Sequence, residues 1–141
     1  MKTPIRPPIG MELFRTTKLV SQAFDAALGE AGGTLPVWLT LLSIKSRAAA
    51  NQRELATMIG IQGATLTHHL NGMEKQGLLT RRRDPSNRRV HQVALTEAGE
   101  ALFLRLKDAA IAFDERLRSG IDDERIARLS ADLAALRANV E

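Results

Sequence analysis

Cysteine is absent from this 141-residue chain. That excludes disulfides, thiolate zinc sites and any cysteine-based redox switch. Tyrosine is absent as well, and aromatics make up only 4% of the residues, so a core has to be built mainly from Leu, Ala, Val and Ile. No apolar run approaches the length that crosses a bilayer. Lys2 and Arg6 are followed by prolines rather than by the apolar stretch of a secretory leader. The expectation is a cytoplasmic protein with no membrane partner. Enzyme signatures are missing too: there is no nucleophile elbow, Walker loop or Rossmann glycine pattern. The glycines fall at expected helix ends, and Asp122-Asp123-Glu124 reads as a helix start. No enzyme and no cofactor is expected.

What is present fits one domain's length, with 44% hydrophobic residues and a net charge of +4. A symmetric dimer would carry twice that, +8. The excess sits in one place, since five arginines lie between Arg81 and Arg89. Concentrated positive charge favours a polyanionic partner.

The surrounding stretch, Asn51 to Gly99, organises the chain. Asn51 is a good N-cap residue, and Glu54 can bond back to the capping amide. Leu55, Met58 and Ile59 follow at helical spacing, and Gly60 can take the left-handed conformation that stops a helix. Gly63 to Gln76 reads as a second helix, ended by Gly77. At about 100° per residue, Ala64, Thr67, His68, Asn71 and Lys75 share one face, and Leu66, Leu70 and Met73 lie near the opposite side. Such a mixture of donors and acceptors suits base edges and phosphates, although it also fits an ordinary solvated face.

The next segment weighs between those readings. Leu79 to Arg83 runs out, Asp84-Pro85-Ser86-Asn87 is turn chemistry, and Arg88 to Leu95 runs back. Val93 and Leu95 alternate toward a core. An arginine-rich hairpin beside a polar helix face reads as a wing that grips phosphates and enters a minor groove. The pattern is a winged helix-turn-helix: mainly α, with a small β-wing.

His68 and His69 are about 100° apart on a helix, and His91 sits on a strand, so no shared metal is expected. His68 faces with Thr67 and Asn71. His69 turns toward the apolar side as a packing residue.

The wing, residues 81–99, resembles that of the MarR (multiple antibiotic resistance regulator) family of transcription factors. Asp84, Pro85, Arg89, Leu95, Thr96 and Gly99 match the family pattern Asp-Pro-x-Asp-x-Arg followed by Leu-Thr-x-x-Gly. The similarity extends upstream through Glu54-Leu55-Ala56 and Thr65 to Leu70. Asn87 departs from the pattern, standing where the family has an acid, which leaves Asp84 to orient Arg88 or Arg89. The missing cysteines remove the peroxide-sensing branch of that family.

The rest of the chain is read around this unit. Residues 1–9, with Pro4, Pro7 and Pro8, form an extended arm. Residues 10–33 hold a helix with Leu13, Val20, Phe24 and Leu28 on one stripe. Residues 34–95 make up the winged unit, with the recognition helix at about 63–76 and the wing at about 79–95. They begin with Thr34 as a cap, Pro36 in the first turn, and Val37, Trp38, Leu41, Leu42 and Ile44 buried. Residues 96–141 hold two helices. The first is capped by Thr96, with Leu102, Leu106, Ala109, Phe113 and Leu117 on its stripe. The second is capped by Asp122, with a heptad-like seam of Ile126, Leu129, Leu133, Leu136 and Val140. That seam can fold back on its own domain or pair with a second copy. With the family included, the outer helices read as dimerisation helices.

The resemblance implies a homodimeric regulator, a repressor by preference, reading a pseudo-palindromic operator in double-stranded DNA. Ala64, Thr67, His68 and Asn71 would approach bases, while Thr65 and Lys75 meet phosphates. Arg88 and Arg89 would enter the minor groove, with Arg81, Arg82 and Arg83 along the backbone. It also implies a small-molecule pocket between the dimerisation helices and the winged unit. Arg15, Lys18 and Trp38, with His69, are candidates there for an anionic aromatic or phenolic effector. The alternative is a ligand-independent architectural or nucleoid-type DNA binder, which would more often carry Lys and Arg across the recognition face.

Overall fold

The computed structural model describes residues 6–46, 52–83, 85–86 and 91–141. In chain order these form α1 (Ile9–Glu30), α2 (Leu35–Lys45), α3 (Gln52–Ile59), α4 (Gly63–Lys75), β1 (Leu79–Arg83), β2 (His91–Leu95), α5 (Glu97–Leu117) and α6 (Asp123–Ala138). The expected mainly helical fold with a small β-wing is what forms. Asn51, Asp84, Arg88 and Arg89, like the first five residues of the arm, lie outside the described residues. Among the described residues no single helix is long and apolar enough to cross a membrane.

Local chemistry sets the boundaries. The Thr34 side chain accepts from the Val37 amide at 3.4 Å and starts α2, with Pro36 in the first turn. Gly60, Gly77 and Gly120 all take positive φ (80°, 74° and 79°), which ends α3, α4 and α5 where no β-carbon resists. Asp122 accepts from the Arg125 amide at 2.8 Å and opens α6.

The chain divides into two compact units, Met1–Ala110 and Ile111–Glu141. The first contains one apolar cluster that draws on every element it holds except β2 for its fully buried members. Leu28, Leu41, Leu66, Leu70 and Leu106 have no exposed surface there, and Trp38, Leu55, Met73, Leu79, Leu102 and Phe103 complete most of the rest. Trp38 stacks on Phe103, with ring centroids 5.7 Å apart and planes 18° apart. Lys45 pairs with Glu100 at 2.6 Å above that stack.

Leu42, expected to be buried, faces outward, and so does Met58, one of the three apolar residues at helical spacing in α3. Leu42 is 39% exposed and Met58 is 50% exposed. In α2 the buried position goes to Thr40, whose hydroxyl donates to the Pro36 carbonyl at 2.7 Å. Leu42, two residues on, is rotated by about 200° from it. In α3 the buried pair is Leu55 and Ala56, with Ile59 half-buried between them. Met58 therefore lies about 110° from the centre of the buried face. Gly33 approaches Leu106 so closely that a β-carbon would lie 2.7 Å from its Cδ2.

Thr96 joins the wing to α5. Its hydroxyl donates to the Gly77 carbonyl and accepts from the Gly99 amide at 3.1 Å, and its own amide donates to the Leu78 carbonyl at 3.1 Å. Thr96→Val keeps the shape and removes the hydroxyl. The expected loss is about 1–2 kcal/mol, read as an unchanged slope and lowered midpoint in urea unfolding.

In the second unit, Arg118 pairs with Asp114 at 3.5 Å and Asp123 at 2.9 Å. No residue of α6 is fully buried. Of its seam, Ile126, Leu133 and Leu136 are half-buried, while Leu129 and Val140 are exposed.

Candidate nucleic-acid interface

α3 and α4 are joined by Gly60, Ile61 and Gln62, with the Ile61 amide donating to the Ala56 carbonyl at 3.1 Å. The helices are then pinned across the turn. The Gln52 side-chain Nε2 donates to the Thr67 hydroxyl at 3.1 Å, and that hydroxyl donates to the Gly63 carbonyl at 3.0 Å. Thr67 therefore has one orientation rather than several.

α4 divides into two faces as the wheel predicts. Leu66, Leu70 and Met73 are buried, while Ala64, Thr65, Thr67, His68, Asn71 and Lys75 are all exposed. His69 is half-buried, its ring 6.1 Å from that of His68 and tilted by 58°. Among the described residues no group of three or more acids, histidines or cysteines could hold a metal.

The wing strands are antiparallel, with Leu79 opposite Leu95, Arg81 opposite Val93, and Arg83 opposite His91. Alternation along β1 buries Leu79, half-buries Arg81 and exposes Thr80 and Arg82. Arg83 returns to the inner side of the pleat, yet it is exposed. Arg82 and Arg83 thus stand free to meet an anionic strand.

Arg81 is employed differently from its neighbours. Its guanidinium pairs with Glu74 at 3.3 Å and also donates to the side-chain oxygen of Asn71, both on α4. The Arg81 backbone amide donates to Glu74 Oε2 at 3.2 Å. Its side chain is only 17% exposed. The sequence reading placed Arg81 with Arg82 and Arg83 along a phosphate backbone; here it faces α4. Glu74 and Gln52 were not among the expected site residues. For Glu74 a signal existed: it lies three residues after Asn71 on the same helix and within reach of a strand that reverses at Gly77. Gln52 and Thr67 are 15 residues apart on different helices, and no local pattern predicts their bond.

Of the four ligand-pocket candidates, Arg15 and Lys18 are exposed on α1, Trp38 is buried against Phe103, and His69 is half-buried on α4. A cleft of about 350 Å³ lies elsewhere, between α3 and α4, with Gln52, Arg53, Thr57, Ile61 and Thr67 on its walls.

Comparison with known proteins follows the same lines. The family model described as MarR family matches residues 34–91. Among solved structures, the transcriptional repressor CouR bound to a 23-mer DNA duplex superposes with a TM-score of 0.83 at 29% identity, over 92% of each chain. CouR from Rhodococcus jostii RHA1 bound to p-coumaroyl-CoA gives 0.77 at 29% identity, over 91% of this chain and 90% of that one. A MarR-family transcriptional regulator from Rhodococcus sp. RHA1 gives 0.78 at 28% identity, over 91% of each.

Proposed function

This chain belongs to the MarR family and is a DNA-binding transcriptional regulator; from that premise we propose that it is a homodimeric repressor released by a small anionic aromatic ligand. One observation carries the reading. α4 exposes hydroxyl, imidazole, amide and ammonium groups directly opposite three buried apolar residues, and an arginine-bearing hairpin follows it.

Each α4 enters a major groove, and two copies one helical turn apart, about 34 Å, read a pseudo-palindrome. Ala64, Thr67, His68 and Asn71 meet bases, while Thr65 and Lys75 meet phosphates. Arg82 and Arg83 follow the backbone, and Arg88 and Arg89 enter the flanking minor groove, oriented by Asp84. Dimerisation is supported by apolar side chains exposed on the outer helices: Met11, Phe14 and Leu19 on α1, and Leu129 on α6. The ligand class is supported by the p-coumaroyl-CoA bound to CouR, and Arg15, Lys18, Trp38 and His69 remain the candidates for holding it. A ligand that prefers a dimer with mis-spaced recognition helices weakens DNA binding, and DNA weakens the ligand by the same factor.

Selection of duplexes from a random pool by the purified protein tests the reading. Recovery of a two-fold site with half-sites one turn apart is expected. Retention without enrichment would make the protein an architectural binder. No retention at low salt, where phosphate contacts are strongest, would end the DNA-binding reading.

The residue roles separate by variant. Arg89→Ala should weaken binding to every sequence, and it should reduce the slope of log K against log salt by about 1.8 for one contact in each protomer. Asn71→Ala should instead relax preference at one position of each half-site and leave that slope unchanged. Equal effects of both variants on specific and random DNA would refute the division between reading and gripping.

A further inference from the structure

Asn71 lies in the middle of the exposed face of α4, and its amide is not free to turn. Arg81 Nη2 donates to Asn71 Oδ1 from the neighbouring strand β1. The same guanidinium is anchored on Glu74, with Nη2 3.3 Å from Oε1 and Nε 3.5 Å from Oε2. The backbone amide of Arg81 donates to the same carboxylate, so strand, guanidinium and helix are tied at one point. Arginine has donors and no acceptor. The Asn71 atom that faces it must therefore be the oxygen, which leaves the amide NH₂ directed away from β1.

Orientation matters to what Asn71 can read. An asparagine free to present both atoms to one base forks onto adenine, accepting from N6 and donating to N7. With its oxygen drawn toward the wing strand, Asn71 offers the groove a donor. Guanine presents two acceptors on that edge, N7 and O6, whereas adenine offers N7 alone once the fork is lost and thymine offers O4 alone.

Resting on the reading of α4 as the recognition helix, we propose that Arg81 is a specificity-positioning residue. It holds the Asn71 amide with its oxygen toward β1, so that Asn71 cannot fork onto adenine and favours guanine, the base with two acceptors on that edge. Glu74 sets the position of Arg81. Arg82 and Arg83, exposed on the same strand, keep the task of phosphate contact.

The test is random-duplex selection by the full-length protein and four variants: Asn71→Ala, Arg81→Met, Arg81→Lys and the double variant Asn71→Ala/Arg81→Met. Thermal melts of each provide the folding control. Asn71→Ala identifies the base position concerned, because that position alone loses its preference. Wild type should prefer guanine to adenine there. Arg81→Met should shift the preference toward adenine, changing the adenine-to-guanine ratio on the order of tenfold, and Arg81→Lys, which retains a donor for Oδ1, should restore much of the guanine preference. In the Asn71→Ala background, Arg81→Met should change preference no further. Should Arg81→Met fail to fold, Glu74→Gln, which loosens the anchor and keeps the shape, is expected to shift the preference toward adenine as well.

Adenine at that position in the wild-type site would overturn the proposal. So would an Arg81→Met variant that binds all sequences more weakly with its preferences intact, the behaviour of a phosphate contact or a purely structural residue. A preference change that persists when Asn71 is already alanine would overturn it as well. If wild type enriches no site at all, the recognition-helix reading falls and this proposal with it. If wild type enriches a site and the Arg81 variants leave it unaltered, only the positioning role is lost.

Discussion

Gly99→Ala is expected to lose about 3 kcal/mol of folding stability, a fall of about 10 °C in Tm. Helix propensity alone predicts the opposite sign, because alanine is better than glycine in a helix interior by about 1 kcal/mol. Space decides it. A β-carbon at position 99 would lie 1.9 Å from the Leu78 carbonyl oxygen and 3.0 Å from its carbon. Those are backbone atoms and cannot rotate aside. The same carbonyl accepts the Thr96 amide at 3.1 Å, so displacing it breaks the bond between the entry of the wing and the start of α5. Gly72 provides the control. It is also helical, has nothing within 4 Å of its would-be β-carbon, and Gly72→Ala should be neutral or slightly stabilising. Thermal unfolding of the two variants side by side checks the signs. A Gly99→Ala protein as stable as wild type would mean that α5 does not pack against the Leu78 carbonyl.

Leu70→Ala should have an effect at least as large, about 3–4 kcal/mol. Leu70 is fully buried, in one cluster with Leu66 and Met73 from α4, Leu55 from α3 and Leu79 from β1. Removing three methyl-type groups there loses their transfer energy and leaves a cavity lined by side chains from several elements, which cannot all collapse into it. Urea denaturation provides the measurement. On the opposite face of the same helix, His68→Ala should stay within about 0.5 kcal/mol of wild type while still weakening specific DNA binding. Stability and recognition should therefore divide by face. A small loss at Leu70 with a large one at His68 would mean that the two faces of α4 had been assigned the wrong way round.

The two variants mark the line between what was legible in the sequence and what was not. Leu66, Leu70 and Met73 fall on one face of α4 by periodicity alone, and the polar face opposite them follows from the same count. The helix ends are equally local: Gly60, Gly77 and Gly120 stop helices, and Thr34, Thr96 and Asp122 start them, because capping needs only neighbours in the chain. The arginine hairpin announces itself by composition and turn chemistry. All of this lies within a few residues of backbone, and it sufficed to identify the winged helix-turn-helix.

Tertiary structure decided what depends on residues distant in sequence. Whether α2 buries Leu42 or Thr40 depends on which neighbours meet it, and the hydrophobicity of Leu42 does not settle that. Trp38 stacks on Phe103, contributed by α5, and no local pattern predicts a pairing across 65 residues of chain. Gly99 was part of a recognised pattern, yet only its approach to Leu78 gives the pattern a physical cause. Arg81 is the sharpest case. In sequence it is one of three consecutive arginines with nothing to distinguish it, but the pleat of β1 turns alternate side chains to opposite sides. That alternation, together with the turn at Gly77, brings Arg81 alone onto Glu74 and Asn71 and leaves Arg82 and Arg83 exposed. Charge patterning placed the arginines in the wing, and packing of β1 against α4 determined which of the three at 81–83 is tied to that helix.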